Sequence, residues 1–212
     1  MSMHLPSPFR VDDAAVVTAF MRQFDFSAIV TSSKGGLIAS HVPVLVSGEG
    51  ATLRIAGHLA RANDHWKEMD GRTESMAIFS GPHAYISPSW YVTPGPAVPT
   101  WNYAVVHAFG HPIARDDKVF LREVVEALTH RHESDRAQPW TTKQLPEEAY
   151  EKMLGAIVGF EMHVERCEAK FKLGQNRSPA DRTSAAAGLQ AEGAPTSTDL
   201  AEFMRRFGGA GR

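Results

Sequence analysis

Residues 26–60 read FSAIVTSSKGGLIASHVPVLVSGEGATLRIAGHLA. Three runs rich in Val and Ile, FSAIVTS, GLIASHVPVLVS and ATLRIAGHLA, are separated by Lys34-Gly35-Gly36 and Gly48-Glu49-Gly50. Strand formers punctuated by glycine turns predict an antiparallel meander whose first two strands are joined by a tight hairpin. Upstream, DDAAVVTAFMRQF from Asp12 to Phe24 repeats apolar residues at helical spacing, opens on two acids and carries Arg22 near its end, as an amphipathic helix does.

Downstream, ARANDHWKEMDG reads as a short helix closing at Gly71, and ESMAIFSG and PHAYIS read as two strands around a turn at Gly81-Pro82. YAVVHAFGHPIA is a strand with an interior glycine, Gly110, which marks a bulge or a close backbone approach. DDKVFLREVVEALTHRHES and PEEAYEKMLGAI are helices, the second with Pro146 in its first turn. IVGFEMHVERCEAKFKL reads as one long strand, with Phe160, Met162 and Val164 alternating with Glu161, His163 and Glu165. SPADRTSAAAGLQ and STDLAEFMRRF are two helices joined by a Gly-Ala-Pro turn, ahead of a glycine-rich end expected to fray.

Many short strands, a few helices over the ends and no regular strand-helix alternation predict an α+β, mainly β protein built on a small closed or nearly closed antiparallel barrel. Residues 1–177 form the expected barrel domain, and residues 178–212 a helical extension packed on it. Neither G-x-G-x-x-G nor G-x-x-x-x-G-K-[ST] occurs, so the common phosphate loops are absent.

The chain has 212 residues, 43% hydrophobic and 22% charged, with 22 Lys plus Arg against 24 Asp plus Glu. A formal charge of -2 exerts no global pull on nucleic acid, so direct DNA binding would need a local basic patch. A single cysteine, Cys167, excludes an intrachain disulfide and a multi-cysteine metal site. With no basic-then-apolar leader and no apolar run of spanning length, the expectation is a cytoplasmic protein without membrane contact. The ten histidines do not form a ligand set: His107 and His111 flank Gly110, and His130 and His132 point apart on a helix, so no metal site is expected.

Three segments carry the chemistry. In GHLARANDHWK a strand gives way to a helix near Asn63, which sets Arg61, backbone N–H groups and Asn63 where an anion can sit; equally, Asn63 can be a plain N-cap and Arg61 a surface charge. In KFKLGQNRSPADR, Lys170 and Lys172 share one strand face, followed by Gln175 and Arg177, a set able to meet phosphate and carbonyl oxygens. In SPSWYVTPGPAVPTWNY, Pro88, Pro94, Pro96 and Pro99 predict a long stiff loop, and long ordered loops in compact domains tend to be functional. The rings of Trp90, Tyr91, Trp101 and Tyr103 can pack as a satellite core or bury a dimer interface. With Ser87, Ser89, Thr100 and Asn102 at their edges they also suit a flat heteroaromatic ring with carbonyl and imide groups, such as a flavin.

GHLARANDHW, FSGPHAYISPSWY, VPTWNYAVVHAFG and KFKLGQNRSPADR, in this order and spacing, resemble the PaiB family of FMN-binding negative transcriptional regulators, from about Pro6 to Phe207. The resemblance implies an antiparallel FMN-binding split barrel with flanking helices, related to pyridoxamine-phosphate oxidases. It further implies a homodimer with FMN in the cleft between subunits. Carried over, Lys170, Lys172 and Arg177, with Arg61 and Asn63 as a further anion site, would face the phosphate. Ser87, Ser89, Thr100, Asn102 and Gln175 would bond the ribityl chain or pyrimidine edge, and Trp90, Trp101 and Tyr103 would shield the ring. Two positions depart from the family pattern: Asp64 stands where Pro is usual and sets an acid beside Arg61 and Asn63, and Gly174 stands where Ser is frequent and removes a hydroxyl.

Function then divides between a regulator that acts through DNA or a protein partner and a flavin-dependent oxidoreductase on a small molecule, in which the flavin would carry the chemistry and no acid-base pair need show. A haem-binding split barrel with His83 or His163 as axial ligand is the third reading. The terminal helix pair is a poor DNA reader: Arg205 and Arg206 form its basic tip, but Asp199 and Glu202 lie on the same helix.

Overall fold

The computed structural model describes residues 3–208, and the glycine-rich end expected to fray lies, from residue 209 on, outside the described residues. Among the described residues the strands are β1 (Phe26–Ser33), β2 (Gly36–Ser47), β3 (Arg54–Ala60), β4 (Ser75–Ile86), β5 (Thr100–Gly110), β6 (Ile113–Arg115), β7 (Ile157–His163) and β8 (Arg166–Lys172). The helices are α1 (Ala14–Gln23), α2 (Lys118–Glu133), α3 (Glu147–Leu154), α4 (Pro179–Glu192) and α5 (Pro195–Phe207). Hydrogen-bonded strands follow the order β6-β7-β3-β2-β1-β4-β5-β8. The chain forms two compact units, one of Ala14–Phe79 and His107–Cys167, the other of Met1–Asp13, Ser80–Val106 and Glu168–Arg212. No helix is long and apolar enough to cross a membrane among the described residues.

In the first unit β1 and β2 form the expected hairpin, closing with Ser33 opposite Gly36. Gly36 holds a φ of 118°, open to glycine and strained for other residues, while Ser33 Oγ accepts from Gly35 N and donates to the Gly36 carbonyl. Antiparallel pairing continues from β2 to β3, from β3 to β7 and from β6 to β7, and β1 also pairs with the start of β4. Alternation along these strands sends Ile29, Val44, Ile55, Val158, Phe160 and Met162 into the core. Phe160 sits on the bare backbone of Gly57, where a Cβ would lie 3.0 Å from the ring. Helix α1 buries Val17, Phe20 and Met21 at one-turn spacing. Helix α2 is capped by Asp117, which accepts from Phe120 N, and its Leu121 packs with Tyr150 and Leu154 of α3.

Sequence expectations fail at five places in the elements. YAVVHAFGHPIA is two strands, β5 ending at Gly110, whose bare backbone lies against the His163 carbonyl, and β6 starting at Ile113. ESMAIFSG and PHAYIS are one strand, β4, with Gly81 and Pro82 buried inside it. Pairing of β4 with β1 ends at Ile78, so Pro82 owes that neighbour no N–H. IVGFEMHVERCEAKFKL is two strands, because Val164 N and Glu165 N leave the ladder for the carbonyls of Leu53 and Phe109. The loop expected over 87–103 ends early: Thr100 to Tyr103 belong to β5, since past Pro99 every residue again has an N–H to give. The helix expected in ARANDHWKEMDG is a single 3-10 turn, Asp64–Glu68.

In the second unit α4 and α5 form an αα-hairpin through Gly193, whose φ of 70° ends α4, with Pro195 in the first turn of α5. Ser178 caps α4 by accepting from Asp181 N, and the buried Asp181 carboxylate takes the N–H groups of Val92 and Thr93 at 2.8 Å each. One short acid thereby fastens the proline-rich loop to the helix. Phe171 of β8 meets Phe203 and Phe207 of α5 edge to face at 5.2 and 5.6 Å.

Candidate functional site

Period two sorts the second unit's strands into an inward and an outward face. Inward go Asn102, Ala104 and Phe171; outward go His83 and Tyr85 of β4, Trp101 and Tyr103 of β5, and Lys170 and Lys172 of β8. Trp101 is 54% exposed and Tyr85 42%, large values for such rings. The His83 and Tyr85 rings each stand 6.4 Å from Trp101. Lys172 Nζ donates to Thr100 Oγ1 and, at 2.9 Å, to the Trp101 carbonyl. Burial pushes the Lys172 ammonium below its usual range; Tyr103 opposes that shift and the Lys170 charge adds to it. Lys170 is only 7% exposed, its ammonium on the His4 carbonyl at 2.8 Å and 5.5 Å from the Tyr103 ring centre. The N-terminal segment comes along β8 to reach it, through an Arg10–Lys170 bridge and the bond from Val11 N to the Ala169 carbonyl.

Other candidates in this unit hold different posts. Trp90 lies against α4, with the position of a Gly188 Cβ only 2.5 Å from its ring. Asn102 is buried on the inward face and donates to Met204 Sδ at 3.5 Å. Ser87 and Ser89 bond each other at 2.7 Å, and Gln175 folds back on the Leu173 N–H and the Phe171 carbonyl. Arg177 stacks on Tyr91 at 4.4 Å. The structure therefore brings Thr100, Trp101, Tyr103, Lys170 and Lys172 together. It adds Tyr85, which sequence reasoning misses because it lies ahead of the aromatic stretch at 87–103; parity with His83 along PHAYIS is the signal that finds it.

Arg61 and Asn63 belong to the first unit. The Arg61 guanidinium forms a two-pronged pair with Asp116 and also donates to the carbonyls of Gly155 at 2.8 Å and Ile157 at 2.9 Å, so it clamps the chain around α3. Asn63 caps the 3-10 turn, accepting from His65 N at 3.1 Å and donating to Ser40 Oγ at 2.9 Å. Ser40 also meets His65 Nδ1 at 2.9 Å; His65 Nε2 meets Thr31 Oγ1 at 2.7 Å, and Thr31 meets Ser75 Oγ at 2.6 Å. Since Ser40 accepts from Asn63, its proton is free for Nδ1, and the chain then runs Asn63 to Ser40 to His65 to Thr31 to Ser75 through a neutral imidazole. Burial favours that neutral form and lowers the His65 pKa, against the pull of Glu68. Cys167 is pushed up to about 11 by burial, so at neutral pH it is an unreactive thiol.

An antiparallel sheet with flanking helices and an outward face of aromatic rings and lysines defines the class, a split barrel of the flavin-binding kind. The same fold occurs in the flavocytochrome Anf3 from Azotobacter vinelandii, at TM-score 0.58 and 12% identity over 78% of this chain and 70% of that one. It occurs again in an FAD and heme binding protein from Mycobacterium smegmatis, at TM-score 0.55 and 13% identity over 78% and 74%. The model of the family described as "Putative FMN-binding domain" matches residues 3–166. The "Protease synthase and sporulation protein PAI 2" of Bacillus subtilis (strain 168) is 34% identical over 95% of this chain and 96% of its own. The chain thus belongs to the PaiB family of FMN-binding proteins. Its residues fit that cofactor: the outward face offers a flat exposed indole, a half-buried ammonium and a hydroxyl on adjacent strands.

Proposed function

We propose that FMN lies against the outward face of the second unit, and that the protein is a flavin-binding homodimer acting as a negative transcriptional regulator of the PaiB type. The observation that carries this reading is the exposed Trp101 indole, flanked by Tyr85 and His83 and anchored beside Lys172. Trp101 and Tyr103 shield the ring system. Lys172, with Lys170 behind it, faces the phosphate, and Thr100 meets the ribityl chain. Arg177, stacked on Tyr91, and the Ser87–Ser89 pair would contribute further polar groups to that site. Arg61 contributes only by giving up part of its clamp on Asp116, so it ranks below the lysines. A second copy of the same face covers the aromatic patch that a monomer would leave in water. When bound, FMN supplies redox chemistry, and this chain's residues bind it, orient it and exclude water. Because Asp199 and Glu202 share α5 with Arg205 and Arg206, regulation runs through a partner protein or the assembled dimer surface rather than an inserted helix.

An absorbance spectrum from about 300 to 550 nm and a titration with FMN test the reading. Saturable quenching of flavin fluorescence, weakened about tenfold or more by Trp101→Ala and by Lys172→Ala, is expected. Sedimentation of the loaded protein should give a dimer. A folded protein that binds no FMN, or binds it equally well in both variants, would sink the site; steady NADPH oxidation by the loaded protein would replace the regulator by an oxidoreductase.

A further inference from the structure

Helices α4 and α5 border a cavity of about 390 Å³. Arg182 and Thr183 of α4 and Arg205 of α5 line it, over Pro179, Ala186 and Met204. No carboxylate is among these lining residues, in a chain whose net charge is -2. The nearest acid in sequence, Asp181, is turned away onto the Val92 and Thr93 N–H groups, so it does not neutralise Arg182. The stem of Arg182 rests over Gly174, 3.5 Å from where a Cβ would stand. Arg205 is steadied by one bond, from Nη1 to Gln190 Oε1 at 3.2 Å, which leaves its other N–H groups for a ligand. The Thr183 hydroxyl is spent on the Pro179 carbonyl at 3.0 Å, so the two guanidiniums over an apolar floor carry the recognition of a phosphate joined to an organic group. The volume is that of a small-ligand pocket.

We propose that this cavity is a second binding site, for a small phosphomonoester, with the phosphate between Arg182 and Arg205 and the organic part against Met204 and Ala186. The site stands apart from the flavin face: α5 meets β5 at the inward Asn102, whereas Trp101 and Tyr103 point outward. It therefore does not rest on the flavin reading.

The test is a calorimetric titration of the full chain with phenyl phosphate, repeated with phenol, with a short DNA duplex, and with FMN present. Saturable binding of phenyl phosphate is expected, with dissociation about tenfold or more weaker in the Arg182→Gln/Arg205→Gln double variant and in Arg205→Glu. FMN affinity should be unchanged in both, and thermal unfolding followed by far-UV circular dichroism shows that they fold whether or not flavin binds. Four results would overturn the proposal: no saturable binding by the folded wild type, equal binding of phenol, binding retained in the variants, or competition between phenyl phosphate and FMN. Loss of duplex DNA binding in the variants without any phenyl phosphate binding would likewise replace the small ligand by nucleic acid.

Discussion

Two polar regions of this molecule are built on opposite terms. Around His65, which is 1% exposed, both imidazole nitrogens, two threonine or serine hydroxyls and a capping asparagine answer one another, and the chain of bonds closes within the protein. Around Trp101 the rings stand in water and an ammonium is held at the edge of burial. A satisfied buried network rigidifies its surroundings and offers a ligand nothing, whereas an open face of rings and donors is stable without its ligand and complete only with it. Both regions are rich in residues that a motif search would flag as functional; the difference lies in where their bonds go.

The largest expected effect breaks the closed side. His65→Ala strands the Ser40 and Thr31 hydroxyls and leaves a cavity, and should cost about 3 kcal/mol in urea unfolding. A loss under about 1 kcal/mol would mean the network is dispensable. The same histidine gives the region a pH dependence. Its folded pKa lies below the unfolded value, so its contribution is complete above about pH 6.5 and is lost as pH falls below that, where only the unfolded state takes up the proton readily. His58, lowered by burial as well, acts in the same direction. Unfolding midpoints should therefore drop on acidification, and less so in His65→Gln.

A smaller effect probes the support of the open side. Gly188→Ala gains helix propensity but drives a methyl into the Trp90 ring, so a net loss of about 1–2 kcal/mol is expected in thermal unfolding; a stabilised variant would show that the ring is free to move away. The smallest effect sharpens the contrast. Trp101→Ala should leave stability within about 0.5 kcal/mol of the parent while removing flavin affinity. A large loss of stability instead would make the indole part of the core.

Much of the fold was readable in the chain, since the meander, the hairpin at Gly36, α1, α2 and the helix pair at Gly193 rest on local signals. Gly81-Pro82 misled because the same dipeptide serves a turn or a strand that has parted from its neighbour, and only pairing distinguishes them. For the candidate site, parity along a strand finds Lys170 with Lys172, whereas Trp101 and Tyr103 stand out only by the composition of a stretch that reads as a loop. That composition could not separate Trp90 from Trp101, alike in sequence setting, because the bare backbone at Gly188 that receives Trp90 is remote in the chain. Arg61 was ambiguous for the same reason: Asp116, its partner, is far along the sequence.

Trp90 and Trp101, at the two ends of the proline-rich segment, also make the protein its own instrument. Trp90, pressed on a helix, should emit toward the blue and respond when α4 loosens, while Trp101, in water, should emit toward the red and lose intensity when a flavin covers it. With the other two tryptophans, Trp66 and Trp140, replaced by Phe, emission at two wavelengths would then follow folding and cofactor loading separately, without a label.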